Sequence, residues 1–260
     1  MTILDKIIAY KRKELVFFRE HTSFSDLEKS KFFLRETVSL SKSLSDHNKT
    51  GIIAEFKRKS PSEGIINPDA LVASVTQGYA GAGASGLSIL TDRKFFGGSC
   101  DDLMLARGLN VIPILRKDFI IDEIQVVESK AAGADAILLI AAALGKDQVH
   151  KLSSLSHSLG MEVILEIHTR DEIEMVCENI DITGVNNRDL RTFDVNINLS
   201  VEIAEKIPGQ FLKISESGIT SPSAIKYLRQ AGYKGFLIGS YFMKKEDPVS
   251  AFSAFIKEIL

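Results

Sequence analysis

Gly51-Ile52-Ile53-Ala54-Glu55-Phe56-Lys57-Arg58-Lys59-Ser60-Pro61-Ser62 begins as an apolar strand and ends as a charged loop. Side chains of an extended chain alternate, so Ile53, Glu55 and Lys57 share one face and Ile52, Ala54 and Phe56 the other. A carboxylate and an ammonium two residues apart, at the end of an apolar strand, are costly to bury without a partner. In a single strand, a same-face salt bridge at a sheet rim accounts for the pair. Other strands of the chain end in the same way, and that repetition turns the pair into a site.

The repeating unit is strand, loop, helix. Candidate strands are residues 51–57, 86–91, 111–117, 136–141, 162–168, 182–187, 211–216 and 235–239. Helical windows lie between them at 68–82, 123–132, 146–159, 169–178, 198–206 and 222–231. Gly83, Gly133, Gly160 and Gly232 supply the usual helix stop. Ala-Gly followed by Ala or Tyr recurs just before strands, at Ala82-Gly83-Ala84, Ala132-Gly133-Ala134 and Ala231-Gly232-Tyr233. Eight short apolar strands, each followed by a helix, specify a (β/α)8 TIM barrel of α/β class. The rival is an open doubly wound sheet. No Gly-x-Gly-x-x-Gly follows the first strand; Gly81-Ala82-Gly83-Ala84-Ser85-Gly86 fits by letter but closes a helix and precedes a strand.

About fifty residues precede the pattern. Ile3, Leu4, Ile7, Ile8, Lys11, Leu15 and Phe18 have near-helical spacing over residues 3–20. Ser25-Asp26-Leu27-Glu28 reads as a capping box opening a second short helix, with Leu27, Phe32 and Phe33 as its contacts. Residues 37–50 read as a polar loop leading to the first strand. The expected organisation is a single domain over 1–260, with an N-terminal helical extension (1–50) and a barrel (51–260).

A length of 260 residues suits a barrel of about 250. A net charge of −2 gives no reason to expect nucleic acid or an anionic membrane as a partner. Cys100 and Cys177 are too few and too far apart for a zinc site or a disulfide framework. The N-terminus lacks the apolar core of a signal peptide, and the run 136–144 is far short of a membrane span. The chain is expected to be cytoplasmic.

In such a barrel the chemistry comes from the C-terminal ends of different strands. Those ends carry Glu55 and Lys57, Lys117, Glu166, Asn186 and Arg188, then Glu216 with Ser217-Gly218, then Gly239-Ser240. The last two pairs follow the seventh and eighth strands, where these barrels commonly hold phosphate and where glycine lets backbone N–H groups approach an anion. Of the five histidines only His168 falls at a strand end, a rim position, and no HxH or HExxH pattern exists, so no metal is expected. No Gly-x-Ser-x-Gly elbow is present either. Lysines, carboxylates, an arginine and an asparagine make a general acid–base set for a phosphorylated, carboxylated substrate.

The chain resembles the indole-3-glycerol phosphate synthase family of tryptophan biosynthesis. The resemblance rests on Ile53-Ala54-Glu55-Phe56-Lys57-Arg58-Lys59-Ser60-Pro61-Ser62, on Leu90-Thr91-Asp92 with Phe95-Phe96-Gly97-Gly98-Ser99, and on Leu115-Arg116-Lys117-Asp118-Phe119-Ile120. It continues through Val185-Asn186-Asn187-Arg188-Asp189-Leu190, Ser215-Glu216-Ser217-Gly218-Ile219 and Leu237-Ile238-Gly239-Ser240, in the family's order. It implies a carboxy-lyase that closes the ring of 1-(2-carboxyphenylamino)-1-deoxyribulose 5-phosphate without cofactor or metal, with an N-terminal segment that helps cover the substrate. By the same resemblance Lys117 is the general acid and Glu166 a carboxylate that stabilises a cationic intermediate or takes a proton. Glu55 and Lys57 serve dehydration and orient the substrate, and Asn186 and Arg188 hold it. Glu216 lines the site, Ser60 and Phe119 touch substrate, and Ser217, Gly218, Gly239 and Ser240 cradle the phosphate. The implied partner is a phosphorylated small molecule, with the chain a monomer or weak homodimer and other tryptophan-pathway enzymes as candidate associates. The alternatives are a sugar-phosphate isomerase, a Schiff-base aldolase using Lys117, or a non-catalytic phosphometabolite-binding subunit.

Overall fold

β1 (Ile52–Phe56) pairs in parallel with the next barrel strand on one side and with the last on the other, which closes the sheet. The computed structural model describes residues 2–259. After β1 comes a small antiparallel hairpin, β2 (Lys59–Ser60) and β3 (Gly64–Ile65). The other barrel strands are β4 (Gly86–Leu90), β5 (Ile114–Lys117), β6 (Ala136–Ile140), β7 (Glu162–Ile167), β8 (Ile182–Asn186), β9 (Leu212–Glu216) and β10 (Gly235–Ile238). They close in the order β1-β10-β9-β8-β7-β6-β5-β4, all parallel, as the repeat predicts.

The two faces of β1 separate as the alternation requires. Ile52, Ala54 and Phe56 pack outward into the layer between strands and helices, while Ile53 joins the barrel interior. The register sets inward residues in tiers drawn from alternate strands. Ile53, Leu115, Ile164 and Ile214 form an apolar tier. Two residues further along the same four strands stand Glu55, Lys117, Glu166 and Glu216. The barrel is therefore dry in its middle and ionic at its C-terminal mouth.

Both ends are covered by the N-terminal extension. Residues 37–50 are not simply a connecting loop: they contain the helix Leu40–Ser45, whose Leu40 and Leu44 enter the interior cluster from below. Two apolar residues among serines and lysines gave too little periodicity to mark it; its burial comes from the barrel. Gly86 and Gly235, first in their strands, leave the space. A Cβ at Gly86 would lie 2.7 Å from Leu40 Cδ1, and one at Gly235 would lie 3.1 Å from Leu44 Cδ1. Glu162, at the start of β7, anchors the plug by accepting from the Ser41 amide (2.8 Å) and the Ser41 hydroxyl (2.7 Å).

The first helix, α1 (Ile3–His21), lies across the opposite end, with Ile3, Leu4 and Ile7 over the mouth. Its Lys11 is buried against Asp92 and Asp118, each at 3.1 Å, and Glu14 at 2.9 Å. The second helix, α2 (Phe24–Glu28), opens at Ser23 rather than Ser25: Ser23 caps Asp26, which completes the box three residues on. The expected helix over 169–178 is only a short 3₁₀ turn, Asp171–Met175. Strands end within a residue or two of expectation. The largest difference is β5, which begins at Ile114, after Pro113, which has no N–H for a ladder.

If Leu40 is the stopper of the barrel floor, Leu40→Ala should cost about 2–5 kcal/mol of stability, read as a lower urea midpoint at unchanged slope.

Candidate active site

The charged tier lies at the bottom of a cavity of about 520 Å³ at the barrel mouth. All thirteen site residues expected from the sequence line this one cavity, from Glu55 on β1 to Ser240 after β10. Strand alternation delivers Glu55, Lys117, Glu166 and Glu216 inward from four different strands, and the loops after the strands add the rest.

Lys117 is at the centre. Its Nζ donates to Glu166 Oε2 at 2.7 Å and to Glu216 Oε2 at 2.5 Å. Burial alone would favour the neutral amine. The charges of Glu166, Glu216 and Glu55 outweigh it and raise the lysine above its ordinary range, so it stays an ammonium. Beside it Lys57 Nζ pairs with Glu55 Oε1 at 2.7 Å. The same-face salt bridge is thus real, and it forms part of the cavity wall.

The carboxylates are not equivalent. Burial works against ionised Glu166, but Lys117 and His168 prevail and hold it below the usual carboxylate range. Glu216 is pushed up to about 7, by burial first and by the nearby negative charges of Glu166 and Glu55, with Lys117 opposing. Its Oε1 is buried without a hydrogen-bond partner. The electrostatic reason is uneven compensation: His168 lies against Glu166 alone, while Glu216 shares Lys117 with Glu166 and leaves one oxygen unpaired.

Glycine makes room for two of these acids. A Cβ at Gly184 would fall 2.5 Å from Glu216 Oε1, and one at Gly239 would fall 2.3 Å from Glu55 Oε1. Gly239 is therefore held small from beneath by Glu55, besides any contact it makes with a ligand above. After β9, Ser217 has φ 66 and Gly218 φ 78. A left-handed serine is uncommon, and strain of this kind gathers at functional sites. Asn187 holds the strand end there, its Nδ2 donating to the Ser215 hydroxyl and to the carbonyls of Glu216 and Ser217. Asn186 and Arg188 both line the cavity, but not by continued extension: the strand stops at Asn186, whose Oδ1 accepts the Arg188 amide at 3.0 Å.

Several lining residues were not singled out in the sequence. Apolar Ile3, Leu4 and Ile7 of α1 line the cavity together with Leu138 and Ile140 of β6 and, across the barrel, Leu237 of β10, with Phe96 and Phe119 tilted against each other at 5.9 Å. Lys244 lies four residues after Ser240, one helical turn on, a spacing that offered a signal. Glu63 follows the Ser60-Pro61-Ser62 phrase directly. Leu190, Phe193 and Val195 come from an irregular loop with no period to read. Asp118 adjoins Lys117 and binds Lys11, Arg116 and the Thr91 hydroxyl, which ties the lid helix to the strand that carries the central lysine. Among the described residues, no group of three or more His, Cys, Asp and Glu side chains is placed to hold a metal, and no helix is long and apolar enough to cross a membrane.

Residues 4–255 match the family model described as indole-3-glycerol phosphate synthase. A relative of that name from Bacteroides thetaiotaomicron is 45% identical over 257 residues, covering 99% of this chain and 98% of its own. Another of that name, from a Polaromonas species, is 40% identical over 250 residues and 95% of each chain. Among solved structures, the tryptophan synthase alpha subunit of Legionella pneumophila superposes with a TM-score of 0.60 at 14% identity, over 85% of this chain and 96% of that one. That likeness is one of fold alone.

His168 gives this site a pH signature. Its ring faces Glu166 Oε1 at 3.3 Å and Glu172 Oε2 at 3.7 Å. Burial favours the neutral ring, but the two carboxylates raise it from 6.5 to about 9. Its charged form therefore contributes stability that is complete below about pH 6.5 and lost as pH rises through about 9. His168→Gln should narrow the gap in Tm between the two proteins across that interval, with the largest deficit on the acid side; parallel Tm curves would reject the assignment.

Proposed function

The chain belongs to the indole-3-glycerol phosphate synthase family, and we propose that it closes the indole ring by proton transfers within the tier of Glu55, Lys117, Glu166 and Glu216. The observation that carries this reading is the Lys117 ammonium, held between Glu166 and Glu216 and facing the cavity. A cation so placed is a proton donor, and buried dipoles and charges fixed in advance act strongly on charge that develops beside them.

The substrate is 1-(2-carboxyphenylamino)-1-deoxyribulose 5-phosphate. Its aromatic end fits the wall of Leu138, Ile140 and Phe119 beneath Ile3, Leu4 and Ile7. Its phosphate end goes to Ser217, Gly218, Gly239 and Ser240 on the other side. In condensation the ring carbon that bears the carboxylate attacks the C2′ carbonyl. A C–C bond forms, and Lys117 gives a proton to the carbonyl oxygen, which becomes a hydroxyl. Loss of carbon dioxide leaves its bonding pair in the ring and restores aromaticity. Glu166 stabilises the positive charge that the nitrogen carries between these steps. Dehydration then expels the C2′ hydroxyl as water, with a proton supplied from the Glu55–Lys57 pair. A carboxylate of the tier removes a proton from C1′, giving the double bond of the pyrrole ring. Asn186, Arg188, Ser60 and Phe119 keep the chain of the substrate folded so that the two reacting carbons meet. No cofactor enters this scheme.

The Schiff-base alternative needs a neutral lysine as nucleophile. Two carboxylates at 2.7 and 2.5 Å from Lys117 work against that form. A non-catalytic binding subunit would have no need of four ionisable groups buried at one mouth. The extension 1–50 and the barrel 51–260 act as a single domain, because Ile3, Leu4 and Ile7 complete the cavity that Lys117 serves. The two cysteines are free thiols, which suits the cytoplasm.

Lys117→Ala should lower kcat by about a hundredfold or more while KM changes little, followed by the fluorescence of the indole product; near-normal turnover would remove the lysine from its role. Borohydride added with substrate should trap no adduct on the wild-type chain. Ser240→Ala should act mainly on KM.

A further inference from the structure

Glu63 is at the turn between β2 and β3, and its side chain crosses the edge of the cavity. The Ser240 hydroxyl donates to Oε2 at 2.5 Å, and the Lys244 ammonium donates to Oε1 at 2.9 Å. Burial opposes the charge of Glu63, but Ser240, Lys244 and the more distant Lys57 prevail and keep its carboxyl below the ordinary range. An ionised carboxylate is therefore bound by a hydroxyl and an ammonium at the position assigned above to the substrate phosphate. The donor set is indifferent between the two anions, since a hydroxyl and an ammonium serve carboxylate and phosphate oxygens alike. The two anions compete for it: the Ser240 hydroxyl has a single proton to give, and negative charges a few ångströms apart repel.

We propose that Glu63 is an internal stand-in for the phosphate, displaced when phosphate takes Ser240, and that Lys244 then becomes a phosphate ligand. The proposal rests on the phosphate subsite of the preceding section. The hairpin that carries Glu63 is held at its tip by few contacts. It pairs only Lys59 with Ile65 and Ser60 with Gly64, Ile65 is 74% exposed, and a Cβ at Gly64 would meet nothing within 4 Å. Its base is fixed, with the Ile66 amide on the Arg58 carbonyl at 2.8 Å and Asn67 Nδ2 on the Met243 carbonyl at 3.2 Å. Displacement of Glu63 would swing the turn about that base and carry Ser60, which also lines the cavity, along with it. Phosphate arrival would thus be felt at a second lining residue through a two-residue strand.

Calorimetric titration of the full chain with inorganic phosphate tests this. Lys244 is half exposed, so the competing pair is weak and the effect is modest. Glu63→Gln should bind phosphate about two- to fivefold more tightly than wild type, and Lys244→Ala more weakly by a similar factor. A residue that merely braces the hairpin would give the opposite sign for Glu63→Gln, weaker binding, and that result or an unchanged affinity overturns the proposal. Ser240→Ala separates the two levels. If it binds phosphate as well as wild type, the subsite itself is misplaced and the stand-in falls with it. If it binds more weakly while Glu63→Gln is unchanged, the subsite stands and only the displacement fails.

Discussion

A lysine ammonium buried at the mouth of a barrel, between two carboxylates, is the constraint around which this chain is arranged. Lys117 cannot be placed there unless Glu166 and Glu216 come with it, since an uncompensated buried charge costs several kcal/mol, on the order of 3–5. Those partners come from β7 and β9, so the demand is met only when the sheet has closed with the observed register. The same closure creates the imbalance that matters chemically. His168 supports Glu166 and not Glu216, so burial and the neighbouring acids raise the Glu216 carboxyl while Glu166 stays ionised. One tier of the barrel thus presents a donor, a fixed anion and a titrating acid at adjacent positions.

The architecture and much of the site were legible in the sequence for one physical reason. Period-two alternation in short strands says which residues face inward, and in a closed parallel barrel the inward residues at the C-terminal ends must converge. Glu55, Lys117, Glu166 and Glu216 follow from that rule alone. The phosphate side was readable from Ser217-Gly218 and Gly239-Ser240 for a different reason, the backbone freedom that glycine gives at turns. What escaped reading has no period. The plug Leu40–Ser45 has only Leu40 and Leu44 to reveal it, and its stability is tertiary. The loop that carries Leu190, Phe193 and Val195 is irregular, and Phe193 itself has φ 65. The segment 169–178 reads as helix by composition, yet only Asp171–Met175 turns, and as 3₁₀. The capping box of α2 lies two residues before the Ser25 motif, because both Ser23 and Ser25 suit it and only the backbone chooses.

The N-terminal extension does two kinds of work with two kinds of force. Below, it fills a hydrophobic floor, where Leu40 and Leu44 act by volume. Above, α1 is oriented by charge. Lys11 finds both Asp92 and Asp118 buried around it, and Asp118 is held down to about 2 by Lys11 and Arg116 against its own burial. A helix tied to the residue next to Lys117 has its position set by the same strand that sets the proton donor. Lifting the lid would uncover acids that are otherwise well compensated, so its closed position has an electrostatic restoring force as well as the apolar contacts of Ile3, Leu4 and Ile7.

Gly239 carries an implication for anyone wishing to alter what this cavity accepts. The obvious way to reshape a phosphate pocket is to vary the residues around the anion, and position 239 would be first on that inventory. Yet even a methyl group there would land on the Glu55 carboxylate, 2.3 Å away. Anion recognition and proton handling are therefore not separable modules at this point in the chain. A redesign of one would have to begin by relocating a group that belongs to the other, and tolerance to variation should be lower there than at Lys244, which is exposed.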